Sequence, residues 1–242
     1  MTKTMQFSCK GNTCLIQYPF SPLMEAVAKE ILCENEYPAF TFLQDRQGAI
    51  LDIGANIGCA SLIFSISYPA ATVFAFEPSQ DTHRFLLLNT NSLSNVRCFN
   101  YGLYNRDCAV KLFTGTSASV TNSIGQSILN NSEFEMVELR RASSFITNHG
   151  LDQILLVKID TEGSEVPILL DIEPLLDRVE SIILEYHSEQ DRVEIDRLLA
   201  SRFTLFLAKA SQAHRGTLTY VSKNVLATRT DWDRFAIQRP NI

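Results

Sequence analysis

The residues from Asp52 to Gly58 read Asp-Ile-Gly-Ala-Asn-Ile-Gly, and they follow a short apolar run. Glycine adopts backbone conformations that are closed to other residues, so Gly54 allows the chain to turn sharply there, and Gly58 allows the following helix or a ligand to approach closely. In an open parallel sheet, ligands bind beyond the carboxyl ends of the strands, where the strand order reverses. The sequence therefore predicts a ligand-binding turn with Asn56 between the two glycines. A tight turn without a ligand is the alternative.

A glutamate ends the next predicted strand, in Phe76-Glu77-Pro78, about 25 residues beyond Asp52. A carboxylate at this place can accept hydrogen bonds from both hydroxyls of a ribose. Enzymes that bind dinucleotides carry closely spaced glycines that admit a pyrophosphate, and this turn lacks them. Asp52 would repel phosphates but could hold an ammonium group, so we predict that the ligand is S-adenosylmethionine, a positively charged nucleoside without phosphates. The predicted cofactor-binding residues are Asp52, Gly54, Asn56, Gly58 and Glu77. A solvated glutamate at a strand end is the alternative for Glu77.

A second group of charged residues lies in Lys-Ile-Asp-Thr-Glu-Gly-Ser-Glu at 158–165, where a later predicted strand ends. Alternation along the strand puts Lys158 and Asp160 on the same side, so their charges can pair. Glu162 and Glu165 flank the start of the next helix, where carboxylates can cap exposed N–H groups. Helix capping is therefore the alternative to a catalytic role for these two glutamates.

The following strand ends in Leu-Glu-Tyr-His at 184–187, which places Glu185 and His187 on one side and near the preceding acids. We predict that His187 is the general base for an acceptor hydroxyl, because an unperturbed imidazole with a pKa of about 6.5 is mostly neutral at pH 7. Asp160 is the second choice for the base, and Glu185 or Glu162 would orient the ring. A histidine that only hydrogen-bonds the sheet edge is the alternative. The predicted catalytic residues are His187, Asp160 and Glu162.

The same edge could hold a divalent metal, because carboxylate-rich sites accept magnesium or calcium. Asp160, Glu185 and His187 are the candidate ligands, but no motif requires an ion and we expect a site without one. The six cysteines contain no C-x-x-C pair, so the sequence does not indicate a structural zinc site.

The elements that must position these residues alternate between strand and helix from residue 49 onward. The predicted strands cover 49–53, 72–76, 96–101, 154–159 and 179–185. Helices at 60–67 and 79–92 follow the first two strands, which implies parallel pairing through right-handed crossovers. The runs at 203–207 and 217–221 lack a helix between them and predict an antiparallel pair at the sheet edge. Residues 115–132 have no hydrophobic period and predict a long loop, a candidate lid or binding segment.

Residues 1–45 lie outside this alternation, and 23–32 read as an amphipathic helix between Pro22 and Pro38. We predict that this segment caps the sheet, where the helix would either pad the core or cover the substrate. The main domain is predicted to span 46–242.

Composition excludes several classes of partner. The 242 residues carry a net charge of -6 and no basic run longer than Arg140-Arg141, which argues against nucleic acid. The apolar runs are far shorter than the roughly 20 residues that a membrane helix needs. The N-terminus lacks the apolar region of a signal peptide, so a cytoplasmic location is expected. The sequence does not indicate an oligomeric state.

Three of these motifs together resemble the FkbM-type S-adenosylmethionine-dependent methyltransferases. The motifs are Asp-Ile-Gly-Ala-Asn-Ile-Gly at 52–58, Phe-Glu-Pro at 76–78 and the stretch at 158–165, which is the most specific. The resemblance spans roughly residues 45–190 and implies an α/β, Rossmann-like class I fold, with seven mostly parallel strands and an antiparallel last strand. It makes 46–242 the methyltransferase domain, and it implies that Asp160 lies near the methionine part of the cofactor or the acceptor hydroxyl.

The resemblance also implies O-methylation of hydroxyls on sugars, polyketides and related secondary metabolites. Members of the family methylate macrolide hydroxyls, and one 2-O-methylates fucose on a rhizobial nodulation signal. The expected acceptor is therefore a small molecule or an oligosaccharide. One alternative is an NAD(P)-dependent Rossmann oxidoreductase, which the missing close-spaced glycines disfavour. The other is a non-catalytic nucleoside-binding module, which the intact motif residues argue against.

Overall fold

The computed structural model describes residues 2–9, 12–33, 36–113, 123–124, 134–228 and 237–238. In chain order the strands are β1 (Thr2–Cys9), β2 (Asn12–Pro19), β3 (Ala39–Phe40), β4 (Gly48–Ile53), β5 (Ala71–Phe76), β6 (Val96–Phe99), β7 (Gly102–Tyr104), β8 (Cys108–Phe113), β9 (Ser123–Ile124), β10 (Phe134–Arg141), β11 (Ile154–Ile159), β12 (Ser181–Tyr186), β13 (Phe203–Gln212), β14 (Arg215–Ser222) and β15 (Ile237–Gln238). The helices are α1 (Pro22–Cys33), α2 (Cys59–Ser67), α3 (Gln80–Thr90), α4 (Ala142–Asn148), α5 (Glu165–Ile172), α6 (Glu189–Leu199) and α7 (Lys223–Ala227). Within the described ranges, no helix is both long and apolar enough to cross a membrane.

A seven-stranded sheet forms the centre of the fold, in the order β13-β14-β12-β11-β4-β5-β6. Strands β4, β5, β6, β11 and β12 pair in parallel, whereas β14 runs antiparallel to both of its neighbours. The predicted Rossmann-like class I sheet, with an antiparallel last strand, is therefore confirmed. The strand order reverses between β4 and β11, so a ligand is expected at the carboxyl ends of these two strands.

Each face of this sheet is covered by its own set of helices. Leu51 and Ile53 of β4 pack with residues of α4, α5 and α6 on one face. Ile50, which precedes Leu51 and points to the opposite side of the strand, packs with α1 and α2 on the other face. Because neither face meets water, the central parallel strands are apolar at almost every position. Asp52 in β4 and Lys158 in β11 are buried charges in otherwise apolar strands.

The N-terminal segment contains the predicted helix and a hairpin that the sequence analysis missed. Helix α1 extends the predicted range 23–32 by one residue at each end. Strands β1 and β2 pair antiparallel before it, and Phe7, Cys9, Ile16 and Tyr18 on their inner side are buried. This period of two is typical of a half-buried hairpin. The pattern is present in the sequence but covers only a few apolar positions among many polar ones.

A second, smaller sheet with the order β7-β10-β8-β9 is a correction to the sequence analysis, which placed no strand between residues 101 and 154. Strand β10 pairs in parallel with β7 and antiparallel with β8. Strand β8 contains one lysine, β10 contains four charged residues, and several side chains of both strands are exposed, so the hydrophobic signal is weak. The predicted loop at 115–132 lies outside the described residues, apart from Ser123–Ile124, which pair with β8.

A buried amide connects the N-terminal hairpin to the turn after β4. Asn89 on α3 accepts a hydrogen bond from the Gln17 backbone N–H at 2.7 Å. Its amide group donates to the carbonyl oxygens of Gln17 at 2.8 Å and Ile57 at 2.7 Å. One side chain thereby satisfies three backbone groups and holds β2 beside the predicted ligand-binding turn.

We expect Asn89→Ala to lower the free energy of unfolding by about 2–4 kcal/mol, because three largely buried backbone groups lose their partner. The matched control is Asn91→Ala at the exposed end of α3, which should change it by less than about 0.5 kcal/mol. Urea denaturation of the purified proteins measures both. Equal losses in the two variants would show that Asn89 does not hold the hairpin.

Candidate active site

A cavity of about 410 Å³ lies at the carboxyl ends of β4, β5, β11 and β12. The turn after β4, Glu77, Asp160 and Glu185 line it from the sheet. Tyr37 and residues of α1 line it from the N-terminal segment, and Arg215 lines it from the start of β14. This volume lies in the range of small-molecule sites, about 300–1,000 Å³. The N-terminal segment therefore covers the cavity as well as packing on the core.

The two glycines of the predicted turn are required by packing within the protein. Gly54 lines the cavity and has a φ of +79°, and a Cβ atom on it would lie 1.8 Å from the carbonyl oxygen of Asp160. Gly58 has a φ of +94°, and a Cβ atom there would lie 2.9 Å from Leu86 Cδ1 on α3. The sequence analysis predicted that either the following helix or a ligand lies close to Gly58. In the structure a helix does lie close to it, but this helix is α3 and not α2, which follows Gly58 in the chain. Gly58 is not among the described residues that line the cavity.

Glu77 is held in place by backbone N–H groups at the end of β5. Its Oε2 accepts from Asn56 N–H at 3.0 Å, and its Oε1 accepts from Ser79 N–H at 2.9 Å. Burial raises the pKa of Glu77 to about 7, although the two N–H groups and Lys158 act in the opposite direction. Glu77 and Asn56 both line the cavity.

The residues around Glu77 fit a nucleoside. Each carboxylate oxygen of Glu77 accepts one amide proton, and a carboxylate oxygen can accept a second hydrogen bond. The side-chain Oδ1 of Asn56 is buried without a hydrogen-bond partner in the described part of the chain. Leu103, Leu112 and Leu139 give the same cavity an apolar wall. The cavity therefore combines polar groups for a ribose with a surface that can pack against a base.

Lys158 connects the two predicted acidic positions across the centre of the sheet. Its ammonium group donates to the Gly54 carbonyl at 2.7 Å and lies 3.3 Å from Asp52 Oδ1 and 3.6 Å from Asp160 Oδ2. Desolvation, the largest effect, lowers the pKa of Lys158, but Asp52 and Asp160 together raise it above its usual value. The predicted pairing of Lys158 with Asp160 is therefore present, and the lysine stays charged.

Asp52 lies behind this lysine. Its side chain is fully buried, its Oδ2 accepts from the Ser61 hydroxyl at 2.5 Å, and it is not among the described residues that line the cavity. The structure thus gives Asp52 a supporting position behind Lys158 in place of the predicted direct contact with a ligand's ammonium group.

Asp160 and Glu185 form a carboxyl pair on the cavity wall. Desolvation acts to raise the pKa of Asp160, but the charge of Lys158 and the hydrogen bonds from Glu185 and Tyr37 lower it overall. Desolvation and the neighbouring charge of Asp160 raise the pKa of Glu185 to about 9. Two carboxyl groups this close cannot both ionise easily. At neutral pH the pair therefore holds one proton, on the Glu185 side.

His187 lies among three carboxyl groups. Its Nε2 is 3.2 Å from Glu162 Oε2 and 3.7 Å from Glu185 Oε2, and its Nδ1 is 3.5 Å from Glu165 Oε1. Desolvation is the largest effect and lowers the pKa of His187, but the adjacent Glu162 and Glu165 outweigh it and raise the pKa to about 10. The ring is therefore positively charged at pH 7, and His187 is not among the described residues that line the cavity. Both facts contradict the neutral base that the sequence analysis expected at His187.

Glu162 and Glu165 have different positions. Glu165 is fully buried, and its carboxylate accepts hydrogen bonds from the backbone N–H groups of Thr161 at 2.9 Å and Gly163 at 3.0 Å. It therefore fixes the loop before α5, a structural role that differs from the predicted capping of helix N–H groups. Glu162 lines the cavity, has a φ of 55° and lies 3.7 Å from the guanidinium of Arg215. A left-handed conformation is uncommon outside glycine and often occurs at functional sites.

Sequence reasoning missed several cavity residues that the fold brings in from distant parts of the chain. Tyr37 Oη donates to Asp160 Oδ2 at 2.8 Å across 123 positions of sequence. Arg215 comes from a hairpin that was predicted only as an edge pair. The three leucines of the apolar wall come from β7, β8 and β10 of the second sheet. No local pattern marks Tyr37 or Arg215, whereas the leucines follow from strands whose alternation was overlooked.

The chain was compared with known protein families and relatives. The model of the Methyltransferase FkbM domain matches residues 52–215. AMB antimetabolite synthetase AmbE of Pseudomonas aeruginosa is 28% identical over 204 residues, which is 69% of this chain but 10% of AmbE. This chain therefore spans only a small part of the length of AmbE. The 2-O-methyltransferase NoeI of Sinorhizobium fredii is 24% identical over 164 residues, which cover 62% of this chain and 68% of NoeI.

Among solved structures, the Methanococcus jannaschii fibrillarin pre-rRNA processing protein superposes with a TM-score of 0.51 at 10% identity. The superposition covers 90% of this chain and 82% of that one. At this identity the likeness shows the shared fold alone, and it agrees with the sheet order described above.

We expect Gly54→Ala to lower the free energy of unfolding by at least about 3 kcal/mol, since a left-handed backbone and a clash with a backbone oxygen act together. Gly150→Ala is the matched control, because Gly150 has a φ of +60° but no atom within 4 Å of an added Cβ. Gly150→Ala should lower the free energy of unfolding by about 1 kcal/mol, which is the cost of the left-handed backbone alone. Urea denaturation compares the two. A loss at Gly54 no larger than that at Gly150 would contradict the close packing against Asp160.

Proposed function

The chain belongs to the FkbM family of S-adenosylmethionine-dependent methyltransferases, and we propose that its acceptor is a hydroxyl of a saccharide or of a related secondary metabolite. The observation that carries this proposal is the division of the cavity into two parts. Glu77 precedes Pro78, which lies with Leu139 of the apolar wall beside Gly102, whereas the acids Asp160, Glu162 and Glu185 lie together around His187. Carboxyl groups are strong acceptors for hydroxyl hydrogens, so the acidic part suits a hydroxyl-rich molecule.

The relatives support oxygen as the acceptor atom. NoeI carries the name 2-O-methyltransferase and shares 24% identity with this chain over most of its own length. The family resemblance adds sugars and secondary metabolites as acceptor classes, with 2-O-methylation of fucose on a nodulation signal as one case. A small hydroxylated molecule or an oligosaccharide is therefore the acceptor that we propose.

In this proposal the Glu77 part of the cavity binds the nucleoside. The carboxylate of Glu77 would accept hydrogen bonds from both ribose hydroxyls while the amides of Asn56 and Ser79 keep it oriented. The apolar wall of Leu103, Leu112 and Leu139 would pack against the adenine ring. Gly54 contributes the shape of the turn, and Gly58 contributes through its contact with α3.

The acceptor proton requires a group that is ionised at neutral pH, and Asp160 meets this condition. S-adenosylmethionine, when bound, supplies a methyl group on a positively charged sulfur. As the acceptor oxygen takes this methyl group from the sulfur, the carboxylate of Asp160 would accept the hydroxyl proton. Lys158 keeps Asp160 ionised, and Tyr37 orients it through its hydroxyl. The positive charge on His187 favours Asp160, the second choice of the sequence analysis, as the base.

The first test measures cofactor binding. We expect Glu77→Gln to weaken S-adenosylhomocysteine binding by about 10- to 100-fold in calorimetry, since hydrogen bonds to a charged acceptor are worth about 1.5–3 kcal/mol each. The exposed Glu138→Gln is the matched control and should bind like the wild type. NADH should bind to neither protein, and NADH binding in place of S-adenosylhomocysteine would favour the oxidoreductase.

The pH dependence of S-adenosylhomocysteine affinity is a second test of the proposed contact between Glu77 and the ribose. The ionised form of Glu77 accepts both ribose hydroxyls, and its pKa is raised to about 7. Below that pH, binding must first remove a proton from Glu77. Affinity for S-adenosylhomocysteine should therefore fall as the pH decreases from about 7.5 to 5.5, by up to about tenfold per unit, and this fall should be absent in Glu77→Gln. A wild-type affinity that is flat over this range would remove Glu77 from the ribose contact.

The second test measures the reaction. We expect transfer of labelled methyl to at least one member of a panel of mono- and oligosaccharides. Asp160→Asn should reduce kcat by about 10²- to 10⁴-fold with S-adenosylhomocysteine affinity within about threefold of the wild type. The highly exposed Asp152→Asn is the matched control and should retain full turnover. Near-normal turnover in Asp160→Asn would reject the base, and cofactor binding without transfer to any hydroxyl would support a non-catalytic module.

A further inference from the structure

We propose that Asp160, Glu185 and His187 together bind a divalent metal ion at the acidic part of the cavity. One carboxylate oxygen from each acid and one ring nitrogen lie within 4.8 Å of one another. An ion with bonds of about 2.1 Å holds neighbouring ligands about 3 Å apart and opposite ligands about 4.2 Å apart. Three atoms at this limit lie about 2.8 Å from their common centre, so each side chain needs to move by less than about 1 Å to meet one ion.

His187 supplies an independent observation that points to a ligand. Its side chain is 8% exposed, and neither ring nitrogen has a hydrogen-bond partner in the described part of the chain. A buried polar ring is normally hydrogen-bonded, so this arrangement requires an explanation. The contacts of the ring with its acids, at 3.2–3.7 Å, are charge contacts without hydrogen-bond alignment.

The orientation of the ring suits a metal ligand. Nδ1 faces Glu165, which the amides of Thr161 and Gly163 hold in place. Nε2 faces Glu162 and Glu185. Histidines that bind metals usually direct one nitrogen to a carboxylate, which fixes the ring, and the other to the ion. Here Glu165 would fix the ring, and an ion would take the place of the proton on Nε2.

Asp160 has the corresponding support. Tyr37 donates to its Oδ2 at 2.8 Å, and Lys158 lies 3.6 Å from the same oxygen. Metal-binding carboxylates are commonly oriented by such hydrogen bonds. Tyr37 and Lys158 therefore orient Asp160 through one oxygen, and an ion would displace the proton that Glu185 shares with Asp160.

The balance of charge also favours a cation. Five carboxyl groups meet at this end of the sheet, and within the described residues the permanent cations among them are Lys158 and Arg215. The five are Asp52, Asp160, Glu162, Glu165 and Glu185. Metal ligands must be deprotonated, and once the protons on Glu185 and His187 have left, three negative charges are formally in excess. One divalent ion would remove most of that excess.

The donor set indicates the class of ion. Two carboxylates with one imidazole suit Mn²⁺ and neighbouring transition metals better than Mg²⁺ or Ca²⁺, which prefer oxygen donors alone. The role of the ion rests on the proposed function: beside the acceptor hydroxyl it would lower the pKa of that hydroxyl and hold its oxygen. The binding of the ion itself does not depend on any acceptor.

The test titrates metal-free protein with MnCl₂ and measures free Mn²⁺ by electron paramagnetic resonance. We expect one ion per wild-type chain, and at least tenfold weaker binding in Asp160→Asn and Glu185→Gln. Tyr37→Phe should weaken binding by about 10-fold, as expected for a group that orients a ligand. Asp152→Asn and Glu189→Gln, which remove exposed carboxylates, are the matched controls and should bind like the wild type.

Each other outcome overturns the proposal. No bound ion at about 1 mM Mn²⁺, the weak end of protein affinities, would exclude the site. Binding that is unchanged in both ligand variants would place the ion elsewhere. S-adenosylhomocysteine binding, measured on every variant, shows that each protein is folded and separates the two proposals. A wild-type protein that binds S-adenosylhomocysteine but not Mn²⁺ would reject the metal site alone. A wild-type protein that does not bind S-adenosylhomocysteine would reject the proposed function.

Discussion

The ion pairs and the hydrogen bond of the Lys158 ammonium group are the interactions on which the rest of the site depends. This group lies between Asp52 and Asp160 and donates to the carbonyl of Gly54, so one buried cation joins β4, β11 and the cofactor turn. Removing one partner from a buried ion pair commonly costs about 3–5 kcal/mol, because the remaining charge is left without compensation. The backbone contact between Gly54 and Asp160 reinforces the same junction. The turn that shapes the cofactor part and the strand that carries the acceptor part are therefore one structural unit.

The protonation of the other acids follows from this cation. Lys158 stabilises the charged form of Asp160, and the negative charge of Asp160 then keeps the proton on Glu185. Further along the edge, Glu162 and Glu165 keep His187 positive. The site thus contains charges of both signs and one neutral carboxyl group, as expected where several like charges are placed in a poorly solvated region. The sequence suggests that His187 is a base, whereas in the structure its positive charge balances the charges of the neighbouring carboxylates.

The sequence was sufficient for the sheet and for the positions at its edge. Parallel strands buried on both faces are continuous apolar runs, and a charged residue at the end of such a run has a predictable location. Glu77, Asp160 and Glu185 were located in this way. The hairpin before α1 and the second sheet were missed because their strands are half exposed and carry a weak alternation. Tyr37 could not be found at all, since its contact with Asp160 depends on how a separate segment folds over the sheet. The charge on His187 depends equally on neighbours that only the fold assembles.

The position of Tyr37 bears on how a site of this kind can come to accept a different substrate. The strand ends provide the charges for the chemistry, and they are fixed by the core on both faces of the sheet. The N-terminal segment reaches the same cavity through α1 and Tyr37, and Glu36 ties it to Lys209 and Thr217 on the edge hairpin. Met24, Ala28 and Leu32 of α1 pack on the core through apolar contacts, which tolerate volume-conserving exchange. Apart from Tyr37, the lining that this segment contributes can therefore vary without disturbing Lys158 and its two carboxylates, which separates the choice of acceptor from the placement of the reactive groups.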